Sequence, residues 1–227
     1  YKALKYASAF DILLMQHPEE KELSTGGSMT SGKLSTQLGI KGIPLEAEVI
    51  QVERDIRLAE MTNGKIHFLN ISTGLAIDAI QNAQKKGLKV SCSTSPHYFS
   101  LDETDIKKWR TFAKLSPPLR DKKNLAYVKR GILNNVITCI TSDHSPHDTD
   151  SKRLPFEIAS PGSIGFESLL PLTLNLIREK NLGFLKLIEL ISTNPAKLLN
   201  LKAGSLKKGS SADIVLFDPH KKINLSS

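Results

Sequence analysis

The residues best equipped for chemistry sit in one short run, Asp143-His144-Ser145-Pro146-His147. Proline fixes φ and holds the chain in a defined turn, so the Asp143 carboxylate and the His147 imidazole can both face one cavity. A carboxylate beside a divalent metal can bind it and take a proton from its bound water, because the metal lowers that water's pKa from about 16 to about 7. The imidazole can then bind substrate or transfer protons. The competing reading of the same residues is a helix start with Asp143 as its N-cap.

Other polar residues fall where apolar runs end. His17 follows the run Ala9 to Met15. His67 and Asn70 lie on a second run and precede Ser72-Thr73. Ser95, Pro96 and His97 follow a third. Of the six histidines, five lie at or near such ends. A single histidine there is more often a structural hydrogen-bonder than a ligand. Several, with an aspartate, at successive strand ends point to a metal or hydrolytic centre, because parallel α/β folds build their sites at the C-terminal ends of strands.

The elements that must position these residues alternate in type. Ile66 to Ile71, Lys89 to Thr94 and Val136 to Ser142 read as strands. Ala47 to Met61, Ala76 to Lys86, Leu125 to Asn134, Glu167 to Glu179 and Phe184 to Ile191 read as helices, the second of them closed by Gly87. This rhythm predicts an α/β fold of parallel strands with helical crossovers. After the glycine- and lysine-rich stretch 204–209, Ala212 to Phe217 is expected to form an edge strand of a small accessory β unit. Residues 1–200 are thus assigned to the barrel-like domain and 201–227 to part of that unit.

With 227 residues, 40% hydrophobic and 24% charged, the chain can bury a sizeable core. No run of about twenty apolar residues exists, so no membrane span is expected, and the N-terminus does not read as a signal peptide. Cys92 and Cys139 have no paired spacing and read as buried free thiols of a reducing cytoplasm. The formal charge of +8 comes from scattered lysines with few aromatics between them. That pattern reads as solvated surface or as steering of an anionic substrate, and no nucleic-acid partner is expected.

A set of short stretches resembles the dihydroorotase branch of the amidohydrolase superfamily over essentially the whole chain. They are His17-Pro18-Glu19-Glu20, Leu38 to Pro44 with Ala47-Glu48 and Arg54-Asp55, Ile71-Ser72-Thr73, Ser95-Pro96-His97, Ser116 to Arg120, Ser142 to His147, Lys152, Gly165-Phe166-Glu167, Asn194-Pro195-Ala196, and Gly209 with Ala212-Asp213. The resemblance implies a (β/α)8 barrel of TIM type whose first strands lie before residue 1. It implies a zinc centre of one or two ions, reversible hydrolysis of the ring amide of dihydroorotate, a homodimer, and in some relatives association with aspartate transcarbamoylase. His17 matches a metal-binding histidine, and Asp143 the metal-bound aspartate that acts as general base and acid. His147 matches a substrate-binding histidine, and Pro161 and Gly162 a loop whose backbone approaches the substrate ring.

The chain departs from that pattern in three ways. The second metal histidine of the family falls at Asn70, and an amide oxygen is a poor zinc ligand beside imidazole. Ser116 stands where the family usually has a substrate-touching Asn before Pro-Pro-Leu-Arg. The family's His-x-His motif and a further metal-bridging carboxylate or carboxylated Lys fall before residue 1, and no His-x-His occurs here. A longer native chain is therefore expected, since a parallel barrel cannot close without its first strands. Three readings stay open: a zinc dihydroorotase, a non-catalytic structural partner of aspartate transcarbamoylase, and a cyclic amidohydrolase acting on dihydropyrimidines or hydantoins.

Overall fold

The computed structural model describes residues 1–107, 109–180 and 182–221. In chain order the elements are α1 (Lys2–Ala9), β1 (Leu13–Gln16), α2 (Lys21–Ser24), β2 (Met29–Thr30), α3 (Lys33–Leu38), β3 (Gly42–Ile43), α4 (Glu46–Thr62) and β4 (Lys65–Phe68). Then come α5 (Gly74–Lys85), β5 (Val90–Thr94), α6 (Pro96–Ser100), α7 (Lys122–Leu133), β6 (Cys139–Ile140), α8 (Thr149–Arg153), α9 (Phe166–Glu179), α10 (Phe184–Ile188) and α11 (Asn194–Leu198).

Four strands form one parallel sheet in the order β1-β4-β5-β6. The parallel α/β expectation holds: each neighbouring pair is joined through at least one helix, as parallel strands require. The helices start and stop where local chemistry says they should. Thr73 caps α5 by accepting from the Ala76 N–H, and Asp121 caps α7 by accepting from Asn124. Glu46 and Glu48 sit in the first turn of α4, where acidic groups oppose the helix dipole, and Asn63 closes it at φ +50°.

The core lies between the sheet and its helices. Ile66, Phe68, Val90, Cys92 and Ile140 from the strands meet Val52, Ile77, Ile80, Val128 and Ile132 from α4, α5 and α7. Side chains as buried as Phe68 and Ile80 contribute about 1.5–3 kcal/mol each. Both cysteines are free and buried.

Several sequence expectations change. Ala212 to Phe217 forms no strand. A strand needs a hydrogen-bonded neighbour, and no described segment pairs with it; Phe217 instead packs near Phe184, ring centroids 5.7 Å apart. The first apolar run divides: Ala9 ends α1 and the strand is confined to Leu13–Gln16. The strand expected at 136–142 pairs only at Cys139–Ile140. The helix expected at 184–191 widens into a π-helical turn at Glu189–Thr193, ahead of Pro195, which has no N–H to offer the preceding turn. The parallel pair β2-β3 carried no sequence signal at two residues per strand. Among the described residues no helix is long and apolar enough to cross a membrane.

Candidate active site

The polar residues flagged at strand ends meet at one end of the sheet. Asp143 lies just beyond β6 and Asn70 just beyond β4, and both occupy the left-handed region, at φ +49° and +53°. Asp and Asn tolerate that region better than other side chains, and such conformations concentrate at functional sites. The Asn70 Nδ2 donates to Asp143 Oδ1 at 2.6 Å, while Thr141 Oγ1 donates to Asn70 Oδ1 at 3.0 Å. These two bonds settle the amide's orientation: a flipped Asn70 would set its oxygen against the Asp143 carboxylate.

His97 closes the other side of Asp143. Ser95 sits extended after β5 and Pro96 takes the first position of α6, where its missing N–H costs nothing. His97 is thereby buried with Nδ1 4.0 Å from Asp143 Oδ2. Ser163 Oγ donates to the Ile164 carbonyl at 3.1 Å. It therefore accepts from His97 Nε2–H at 3.2 Å, which leaves Nδ1 to accept from Ser95 Oγ at 3.1 Å. Burial holds His97 below the usual imidazole range, opposed by Asp143. Burial also raises the Asp143 carboxyl above its ordinary value, opposed by His97, the Asn70 hydrogen bond and His17. A part-buried carboxylate with raised proton affinity can act as a general base and acid.

His17 follows β1 and is exposed. It shares a small pocket with Pro117, Pro118, Glu48 and Arg120, which brings the Ser116 segment beside it. Beneath lies a buried ion pair. Glu48, 2% exposed, accepts from the backbone N–H groups of Ser72 and Thr73 and from both hydroxyls, so it anchors the start of α5. Arg120, 4% exposed, donates to Ser72 Oγ at 3.0 Å and to Thr30 Oγ1 at 3.2 Å. Elements α4, α5 and β2 are thereby tied to the loop after Ser116.

The Asp143–His147 run is not a capped helix start; the next helix, α8, is capped by Asp148. His147 is exposed and its Nε2 donates to the Pro161 carbonyl at 2.9 Å, with no hydrogen bond to Asp143. His144 accepts at Nδ1 from Gly165 N–H at 3.2 Å and stacks on Phe166 at 3.9 Å. Gly162 has φ +134°, and a Cβ there would stand 2.5 Å from the Ser145 carbonyl. Pro161 and Gly162 thus lie against the Asp143–His147 run. Sequence reading gave no role to Thr141 or Ser163, and none to His97 beyond its place at a strand end. A threonine and a serine carry no distinguishing spacing, so only contact reveals them. A wide cleft lies elsewhere, at the opposite strand ends between Asp11, Lys65, Lys89 and Asn200, away from this network.

The residues described do not fit zinc by themselves. His17 and Asp143 are suitable donors, but Asn70 turns its N–H face, not its oxygen, towards Asp143. Among the described residues no cluster of three or more His, Cys, Asp or Glu is arranged to hold a metal ion.

Parallel strands, outer helices and a polar network at the carboxyl strand ends define a class, and the chain belongs to the amidohydrolase family, whose model matches residues 3–227. It is similar to the dihydroorotase of Acetivibrio thermocellus, 43% identical over 218 residues, covering 96% of this chain and 51% of that protein. It is likewise similar to the dihydroorotase of Trichlorobacter lovleyi, 44% identical over 220 residues, covering 97% and 52%. The chain spans about half the length of the curated relatives it matches. Among solved structures it resembles D-hydantoinase from a Bacillus sp. AR9, with TM-score 0.84 and 26% identity over 99% of this chain and 52% of that one. Dihydropyrimidinase from Brevibacillus agri NCHU1002, at TM-score 0.79 and 24% identity, covers 93% of this chain and 49% of its own and shares the fold.

Proposed function

We propose that the chain is part of a dihydroorotase that opens the ring amide of dihydroorotate and, in reverse, closes N-carbamoyl-L-aspartate in pyrimidine synthesis. The observation that carries this is Asp143: a part-buried carboxylate of raised proton affinity, held by Asn70 and flanked by His97 and His17. Asp143 takes a proton from the attacking water as oxygen bonds to the ring carbonyl carbon. When the C–N bond breaks, it returns that proton to the leaving nitrogen. His147, Ser116 and the Pro161-Gly162 backbone bind and orient the ring. The identities near 43% to dihydroorotases support this substrate over those of the more distant hydantoinases.

In this reading zinc is the cofactor, and His17 and Asp143 are the ligands this chain contributes. The protein is a cytoplasmic homodimer, and residues 201–227 belong to an accessory unit. One observation favours a second reading, a non-catalytic partner of aspartate transcarbamoylase: Asn70 fills a ligand position with a hydrogen-bond donor. Incubation of the full-length protein with dihydroorotate separates them. Formation of carbamoyl aspartate supports the enzyme; its absence, with co-purification of a transcarbamoylase, supports the partner.

A further inference from the structure

Lys152 is 2% exposed, a burial that an ammonium tolerates only with partners. Its Nζ donates to the Ser160 carbonyl and to the Gly162 carbonyl, both at 2.8 Å. Those two carbonyls flank Pro161, and neither lies in a helix or strand. A second buried lysine works beside it: Lys114, 7% exposed, donates from Nζ to the Glu157 carbonyl at 2.8 Å, and its own carbonyl accepts from Gly162 N–H at 2.8 Å. On the opposite side the same loop is met by the site. His147 Nε2 donates to the Pro161 carbonyl at 2.9 Å, Ser145 N–H to the Ser163 carbonyl at 2.9 Å, and His97 Nε2 to Ser163 Oγ at 3.2 Å. Residues 160–163 are therefore held between the Lys152 ammonium and the Lys114 carbonyl on one side and the Asp143–His147 run, with His97, on the other.

Loops usually turn their carbonyls to water, because buried ones need donors. Here the donor to the Ser160 and Gly162 carbonyls is the Lys152 side chain of α8, and the positive φ of Gly162 lets its carbonyl turn inward. We propose that Lys152 is a positioning residue: by clamping the carbonyls on either side of Pro161, it sets the Pro161-Gly162 backbone against His147 and thereby sets the affinity for the substrate ring. The effect on affinity rests on the hydrolase reading above; the clamp itself does not. The lowered proton affinity of Lys152, caused by burial and then by Lys114, agrees with a crowded cationic site.

The test uses Lys152→Met in the full-length protein, which keeps an unbranched stem one atom shorter and removes its donors. Amide hydrogen exchange at Gly162 and Ser145 should accelerate about tenfold or more, while α5 and α7 keep their rates. KM for dihydroorotate should rise about tenfold or more, with kcat within about threefold, as expected when a binding group shifts while Asp143 stays in place. Lys129→Met, at an exposed ion pair with Glu179, should change neither. Unchanged exchange at Gly162 and Ser145 overturns the clamp, whatever the substrate. A loosened loop with unchanged KM overturns its role in affinity. Wild-type inactivity on dihydroorotate overturns the hydrolase reading, while the exchange result still decides the clamp. Should the Met variant fail to fold, NMR of the wild type decides: slowed solvent exchange of the Lys152 ammonium protons supports the clamp, and exchange as fast as that of Lys129 overturns it.

Discussion

Asp143 and His67 show how burial sets the behaviour of a single ionisable group. His67, 1% exposed on β4, has one side-chain hydrogen bond among the described residues, between Nδ1 and Ser91 Oγ at 2.8 Å, and burial pushes its pKa down to about 4. Above pH 6.5 it is neutral whether the chain is folded or not, and its contribution is fully present. As pH falls from about 6.5 to about 4 the unfolded chain takes up a proton that the folded chain refuses, so stability is lost by about 3 kcal/mol and then levels off. His67→Gln keeps a polar partner for Ser91 and should flatten that part of the stability–pH curve. Urea titrations of both proteins at pH 7 and pH 4.5 check this; equal losses in the two would contradict it. Asn70 gives the complementary residue-scale prediction. An imidazole at that position replaces the amide that donates to Asp143 and accepts from Thr141, and it offers a good zinc donor instead. Asn70→His in the full-length protein should therefore raise bound zinc per chain, measured by elemental analysis after dialysis, with less effect on rate. Unchanged zinc content would count against placing Asn70 at a ligand position.

Elements are joined at this site by a few buried polar contacts, and these resist substitution. Glu48 on α4 holds the start of α5 through Ser72 and Thr73 and faces Arg120, with Arg120 Nη2 3.8 Å from its Oε2. Glu48→Ala would leave the Arg120 charge buried without its counter-ion and strip two backbone N–H groups of their acceptor. We expect a loss of about 3–5 kcal/mol, the range for breaking a buried pair from one side. Thermal unfolding measures it, and a loss under about 1 kcal/mol would show that water or another carboxylate takes Glu48's place. The sequence made these elements legible to different degrees. The helices at 46–62, 74–85 and 122–133 were legible from the alternation of segment types, the second also from Gly87 at its end, and β4 and β5 from their apolar runs. The tail at 212–217 misled, because alternation of apolar residues promises a strand only where a neighbour pairs with it. The same limit applies to the site. His17, Asn70 and Asp143 were marked by residue type and by position after strands. The bonds from Asn70 to Asp143 and from Lys152 to Gly162 were not, because a carbonyl or an amide makes contacts that spacing does not encode.

At the scale of the whole molecule, the chain presents a parallel sheet whose carboxyl ends gather carboxylate, amide and imidazole groups, with the lysines that make its charge +8 spread along the chain. The family match covers nearly all of it, although it corresponds to about half the length of its curated relatives. In the proposed function, Asp143 of this half is the group that moves the proton. The most direct measurement of that role compares dihydroorotate turnover by the full-length wild type and its Asp143→Asn variant, with circular dichroism to confirm the fold. Asn keeps the shape and can bond to Asn70, yet it cannot accept and return a proton. Turnover is expected in the wild type, with a fall of about 10²–10⁴-fold or more in kcat for the variant and an unchanged spectrum. Undiminished turnover by Asp143→Asn would contradict that role.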